Sequence, residues 1–228
     1  MAVFVFIMAT VTAIEVQKRN PSRVNIYLDD QFAFGLARIT AAWLKVGQTL
    51  SEEKVSELKA EDSREVAMQT ALHFLSYRPR SVDEVRKNLA KHEFGEDVIE
   101  QTIARLEQGG LLGDVHFART WVENRNTFRP RGRRALTVEL RQKGISEEII
   151  RTTIQESADE DELAMQAARK YARRLAGLAW PEFRLKLAGH LGRRGVAYDA
   201  IASSTRKLWQ EMHPSASAQA DDNDDNNY

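Results

Sequence analysis

The residues of this chain best equipped to grip a ligand are arginines. Arg119, Arg125, Arg129, Arg131, Arg133, Arg134 and Arg141 stand with Lys143 in a 25-residue window, opposed there only by Glu123 and Glu139. A guanidinium presents a planar fork of donors that pairs bidentately with carboxylate or phosphate. Two targets suit such a window. One is a nucleic-acid backbone, bound with an affinity that falls as salt rises; the other is an acidic face of a protein partner. A merely solvated face is the plain alternative. Arg193 and Arg194, with Arg184 and Lys186, form a second and sparser group, and Lys170, Arg173 and Arg174 a third. Trp121, Phe128, Tyr171, Trp180 and Phe183 lie near these groups and could stack against bases, although their helical spacing favours the core.

The rest of the sequence offers little to a reaction. It contains no G-x-x-x-x-G-K-[ST], no G-x-G-x-x-G, no G-x-S-x-G and no H-E-x-x-H, the patterns that cradle phosphate, expose a nucleophile or hold zinc. The five histidines, at 73, 92, 116, 190 and 213, lack metal-ligand spacing and read as ordinary helix-face residues. With no cysteine among 228 residues, a disulfide scaffold, a thiolate zinc site, an iron–sulfur cluster and a cysteine nucleophile are excluded. Glu147, Glu148 and Asp159 to Glu162 fall at predicted helix starts, where negative charge suits the macrodipole. Gly109 to Gly113 reads as a flexible connection with Asp114 as the next N-cap. A non-catalytic protein without cofactor or metal is expected.

Charge and composition narrow the class of partner. The chain is neutral overall, with 33 basic and 33 acidic residues, 43% apolar and 29% charged, an ordinary globular balance. Residues 114–157 carry 9 basic against 6 acidic side chains and residues 158–213 carry 10 against 7, whereas 61–113 carries 7 against 10 and 214–228 carries 0 against 4. A polyanion therefore suits the later modules. The longest apolar run, Val3 to Ala9, is seven residues, against the ~20 of a spanning helix. No basic residue precedes it, so neither an export signal nor a membrane span is expected, and the reducing cytoplasm is the expected compartment.

These side chains must be held by elements that the hydropathy pattern marks out. Up to residue 60, β-branched and aromatic residues alternate with polar ones in Val11–Gln17 and Arg23–Leu28, and Asp29-Asp30 leads into Gln31–Leu36. A small β-hairpin element of two or three strands is predicted, packed on a helix over Ser51–Leu58 with Ser51 as its cap. Met1–Met8 reads as an edge strand or as an overextended start. From residue 62 the period becomes 3.6.

A repeat runs through this helical part. Pro79, Pro130 and Pro181 recur every 51 residues. The same offset aligns Val85 with Leu136 and Leu187, Leu89 with Leu140 and Leu191, Phe94 with Ile145 and Val196, and Ile99 with Ile150 and Ile201. In each unit the proline is expected to end a first helix. A second helix carries the apolar pair and stops at glycine, Gly144 or Gly195, and a third follows. Ser81 with Glu84 has capping-box spacing, Ser146 opens the third helix of the middle unit, and Gly109-Gly110 closes that of the first. The predicted fold is mainly α: three tandem three-helix repeats in an elongated curved array, preceded by the β-element and followed by a disordered acidic tail. The expected domains are 1–60, 61–113, 114–157, 158–213 and the tail 214–228.

Several segments resemble the RecX family, regulators of the RecA recombinase. Ala71-Leu72-His73-Phe74-Leu75-Ser76-Tyr77-Arg78-Pro79-Arg80-Ser81 followed by Glu84-Val85-Arg86 and Leu89 is similar to the family's most recognisable stretch. Val98-Ile99 to Leu106 with Gly110-Leu111-Leu112 continues the likeness. Asp114, Phe117-Ala118 and Arg125, then Gly132 with Leu140-Arg141-Gln142-Lys143-Gly144-Ile145, carry its later motifs. Ile14, Arg23-Val24, Asp29-Asp30 and Gly47-Gln48 fit its start. Gly113 departs from the pattern, in which an acidic or polar residue commonly precedes the aspartate, and the third module diverges.

The resemblance spans about residues 12 to 211 and implies a non-catalytic, monomeric, cytoplasmic modulator in homologous recombination, DNA repair and the SOS response. Such a protein binds RecA and the RecA–single-stranded DNA filament, limits filament extension, ATP hydrolysis, strand exchange and co-protease activity, and has at most weak direct affinity for DNA. The residues expected at the interface with partner or DNA are Arg125, Arg129, Arg131, Arg133, Arg134, Arg141, Lys143, Arg193 and Arg194. The rival reading is an independent helix-turn-helix DNA-binding protein. Ser146-Glu147-Glu148 weighs against it, because acid at the start of a recognition helix repels phosphate.

Overall fold

Four antiparallel strands open the computed structural model, which describes residues 8–157 and 159–214. They are β1 (Met8–Val16), β2 (Arg23–Leu28), β3 (Gln31–Ala37) and β4 (Thr49–Ser51), in the order β3-β2-β1-β4. Val24, Ile26, Phe34 and Leu36 alternate inward and form one core with Val11, Leu50 and Leu58, as period-two patterning requires. Asp29 and Asp30 both take positive φ, 48° and 64°, the pair of left-handed residues that a tight two-residue hairpin demands. The fourth strand exceeds the two or three predicted. At three residues, pairing Thr49 with Thr10 and Ser51 with Met8, it is too short to show a period. Met1–Ile7 and the acidic tail from residue 215 lie outside the described residues.

Helix α1 (Glu52–Ser76) begins where expected, with Ser51 Oγ accepting from Lys54 N, but does not stop at Leu58. No glycine or proline interrupts residues 52–76, so one helix supports the sheet and continues into the three-helix module. Asp62 fastens the first half. Buried within α1, it accepts from Arg23 Nη2 of β2 at 2.8 Å and from the Ala37 amide of β3. The second half packs with α2 (Val82–Lys91) and α3 (Glu96–Gln108) around Ala67, Ala71, Val85, Leu89, Ile99, Ile103 and Leu106. Ser81 and Glu84 form the predicted capping box.

The chain divides into two compact units at Leu112/Gly113. The second holds α4 (Asp114–Phe128), α5 (Arg133–Gln142) and α6 (Glu147–Glu156), then α7 (Glu160–Ala172), α8 (Trp180–Gly192) and α9 (Tyr198–Met212). The 51-residue columns run through the cores of both units. Val85, Leu136 and Leu187, and Leu89, Leu140 and Leu191, are all 0% exposed, and burial of one such side chain is worth about 1.5–3 kcal/mol.

Positions 144 and 195 take φ of 75° as the glycine reading requires, and Glu93 occupies the equivalent place in the first module at φ 63°. At each, the following residue (Phe94, Ile145, Val196) returns its amide to the carbonyl of Leu89, Leu140 or Leu191, closing the helix in a Schellman turn.

Two local expectations are corrected. Pro79 and Pro130 lie between helices, but Pro181 sits in the first turn of α8, where the missing N–H has no intrahelical partner to lose. Asp114 is the first residue of α4, and Gly113 is the cap.

Candidate nucleic-acid interface

The arginines of the middle module divide by partner. Glu139, on α5, draws in three neighbours. It accepts from Arg125 Nε at 2.7 Å and Trp121 Nε1 at 2.9 Å, and Arg131 Nε lies 3.6 Å away. Trp121 is also faced by two cations, Arg125 at 4.5 Å and Lys143 at 5.2 Å from its ring centre, the arrangement favoured by an aromatic quadrupole. Arg141 Nη2 donates to Glu147 at 2.8 Å, and Arg119 Nη2 to Glu156 at 3.0 Å. The Glu147 hydrogen bond, then its charge, raises the pKa of the Arg141 guanidinium, and the same bond lowers that of the Glu147 carboxylate. These acids stand outside the 25-residue window, so the apparent excess of positive charge is partly cancelled in space.

Glu160, at the start of α7, does more than complement a macrodipole. Its Oε1 accepts from the backbone amides of Arg133 at 3.3 Å and Ala197 at 3.1 Å, so one carboxylate serves the entrances of α5 and α9. Arg133 Nε lies 3.9 Å from the other oxygen, buried and without a hydrogen-bond partner. Arg194 is equally committed: Nε donates to His190 Nε2 at 3.1 Å, Nη1 to the Pro130 carbonyl at 3.1 Å, and its own carbonyl accepts from Gly132 N at 2.8 Å.

Arg129, Arg134 and Arg193 are different. All three are exposed, and among the described residues none is ion-paired. Of the nine residues expected at an interface, these three project without a counter-charge. Arg125, Arg131, Arg133 and Arg194 are half-buried and tied into the unit, Arg141 is paired at the surface, and Lys143 leans on Trp121.

Arg129 does not stand alone. A cleft of about 360 Å³ lies between the α4–α5 connection and α7–α8, and Arg129 shares its lining with Lys170, Arg174 and Arg194. No carboxylate is among its described lining residues. Phe128 and Tyr171 complete it. Phe128, the last residue of α4, is 75% exposed, contrary to the core position expected for it. The Tyr171 ring stacks on His190 at 4.1 Å with 8° between planes. His190 thus departs from the ordinary helix face expected of it. Burial, then the charges of Arg194 and Arg193, lowers its pKa, and its Nε2 accepts from Arg194 Nε. The other aromatics behave as expected: Phe183 is fully buried, and Trp180 packs on Phe183 and Trp209.

Lys170 and Arg174 appeared in sequence only as a minor group. Their four-residue spacing, preceded by Gln166, places all three on one face of the helical segment, but their proximity to Arg129 depends on tertiary packing. Among the described residues no group of histidines and carboxylates could hold a metal ion, and no helix is long and apolar enough to cross a membrane.

Comparison with known proteins agrees with this architecture along the chain. Residues 9–51 match the model described as the regulatory protein RecX N-terminal domain, and 67–106, 114–154 and 159–203 match the RecX first, second and third three-helix domains. The regulatory protein RecX of Bacillus subtilis (strain 168) is 32% identical over 208 residues, 90% of this chain and 79% of the relative. That of Halalkalibacterium halodurans is 33% identical over 205 residues, 85% and 76% of the two chains. A crystal structure of regulatory protein RecX superposes with a TM-score of 0.68 at 27% identity, covering 87% of this chain and 99% of that one.

Proposed function

The chain belongs to the RecX family of regulatory proteins, and from that premise we propose that it binds the RecA recombinase and RecA–single-stranded DNA filaments in the cytoplasm. There it limits filament extension, ATP hydrolysis, strand exchange and co-protease activity without catalysing a reaction itself. The observation that carries the reading, beside membership, is the set of uncompensated cations on the second unit. Among the described residues Arg129, Arg134 and Arg193 project without a counter-charge, and Arg129 joins Lys170 and Arg174 in a cleft with no described carboxylate in its lining. Such a surface suits the acidic groove of a nucleoprotein filament and the strand within it.

The remaining basic residues take two roles in this reading. Arg125, Arg131, Arg133 and Arg194 shape the surface by holding Glu139, Glu160 and the α4–α5 connection. Arg141, paired with Glu147, and Lys143, set against Trp121, border it.

The test is DNA-dependent ATP hydrolysis by preformed RecA filaments, titrated with this protein well below one copy per protomer. A fall at those ratios is the expected result, and unchanged hydrolysis overturns the reading. Reversing Arg129, Arg134 and Arg193 together to glutamate should abolish the inhibition while the helical circular dichroism stays unchanged. The helix-turn-helix rival predicts retention of duplex DNA without RecA. The exposed Glu147 and Glu148 at the entrance of α6 oppose it, since they would face phosphate.

A further inference from the structure

We propose that the cleft beside Phe128 is a nucleotide subsite for single-stranded DNA, holding a backbone phosphate on Arg129, Lys170 and Arg174 and stacking an unpaired base against Phe128 and Tyr171. The proposal deepens the regulatory reading and rests on it for the source of the strand, the DNA inside the filament.

Three observations converge on this ligand. The first is charge. Arg129, Lys170 and Arg174 gather on one concavity, and among the described residues none is ion-paired and no carboxylate lines the wall. Like charges held together destabilise a fold, whereas an anion delivered to the cleft relieves them. The committed cation, Arg194, does not compete for that anion; its bonds to His190 and the Pro130 carbonyl hold the walls in place.

The second is the aromatic surface. Phe128 exposes 75% of its area at the rim, and the plane of Tyr171 is fixed by the imidazole stacked against it. Bases stack on such faces whatever their identity, and cations beside them track the backbone.

The third is size. At about 360 Å³ the cleft is near the lower end of small-molecule sites, ~300–1,000 Å³, a volume suited to one nucleotide at a time. A duplex keeps its bases stacked inside and could offer only phosphates, leaving Phe128 and Tyr171 without a role. An acidic peptide would likewise use the cations and ignore the rings. Single-stranded DNA uses both.

The experiment measures binding of a fluorescent oligothymidylate to the full-length protein by anisotropy, without RecA, across a salt series, beside a duplex of equal length. The wild type should favour the single strand. Phe128→Ala should weaken it on the order of tenfold, as should Tyr171→Leu, whereas Tyr171→Phe, which keeps the ring, should bind as the wild type does. Lys170→Gln should lower the slope of log affinity against log salt by about 0.7, the value for one phosphate contact on a single strand. Phe128 is exposed, so its variant keeps the fold, and circular dichroism checks this.

Equal affinities of the wild type and Phe128→Ala, a preference for duplex, or displacement by polyglutamate but not by unlabelled oligothymidylate each overturns the subsite. Filament inhibition is scored separately. Loss of oligonucleotide binding in Phe128→Ala supports the subsite whether or not inhibition of RecA survives, and an absence of inhibition by the wild-type protein tells against the regulatory reading alone.

Discussion

Gly132 and Gly195 lie backbone against backbone. Gly132, the N-cap of α5, donates its amide to the carbonyl of Arg194 at 2.8 Å, and a Cβ built on it would overlap the Gly195 carbonyl. Gly195, at φ 75°, is itself closed in by Ala135. The equivalent of Gly132 in the first module is Ser81, a capping serine. Glycine stands at 132 because the third module's turn fills the place a side chain would need.

Gly132→Ala should therefore separate the second and third modules or distort both. A loss of about 2–4 kcal/mol is expected, the range of severe overpacking. Gly195→Ala adds left-handed strain of about 1–2 kcal/mol to a comparable clash. Urea unfolding followed by circular dichroism measures both, and a midpoint within error of wild type would show that the contact yields.

Glu93 predicts the opposite sign. It holds a left-handed conformation where Gly144 and Gly195 stand in the sister turns. Glu93→Gly removes a strain of about 1–2 kcal/mol and adds unfolded-state entropy of about 0.5–1 kcal/mol. A net gain of about 0.5–1 kcal/mol should raise the unfolding midpoint of the first unit; a fall would mean that the Glu93 side chain contributes more than its backbone costs.

His190 makes the second unit sensitive to acid. Its ring faces Arg193 and Arg194 just past the end of its own helix and Tyr171 on α7, with Lys170, Arg174 and Arg129 around the same cleft. The folded-state pKa lies below the ordinary 6.5. As pH falls through 6.5 the unfolded chain takes up the proton first, so stability declines with pH down to the folded-state value and loses nothing further from this group below it. In His190→Gln that decline should be smaller. Parallel pH profiles of the two proteins would count against the assignment.

Asp62 is the joint between sheet and helix. Asp62→Ala strands the Arg23 guanidinium and the Ala37 amide, a cost of about 2–3 kcal/mol for partly buried, charge-assisted bonds. Thermal melting should fall accordingly, and Asp62→Asn, which keeps an acceptor, should lose less. If the two variants melt together, the charge contributes nothing.

The fold was legible where one residue type does one local job. Ser51, Ser81 and Ser146 cap helices, Gly144 and Gly195 close them, and the columns through Leu136 and Leu140 mark the core; each follows from spacing alone. Strand β4 and the length of α1 were not legible. Three residues have no period, and no spacing along the chain marks Asp62 as the partner of Arg23 and Ala37. The basic residues illustrate the same limit at the site. Arg141 and Arg119 appeared uncompensated because Glu147 and Glu156 fall outside the window, and Lys170 joins Arg129 only through the packing of α7 against the α4–α5 connection. Charge is counted along the chain, but it acts through space.

Helix α1 also fixes an angle. Each residue advances it by about 100°, and the same rod carries Asp62 toward the sheet and Ala67, Met68 and Ala71 toward the three-helix core. Inserting or deleting one residue between Asp62 and Ala67 would turn the sheet by that angle about the axis of the module beneath it. Substitutions along this stretch are matters of stability, whereas its length is a matter of phase, kept only by insertions or deletions of about a whole turn.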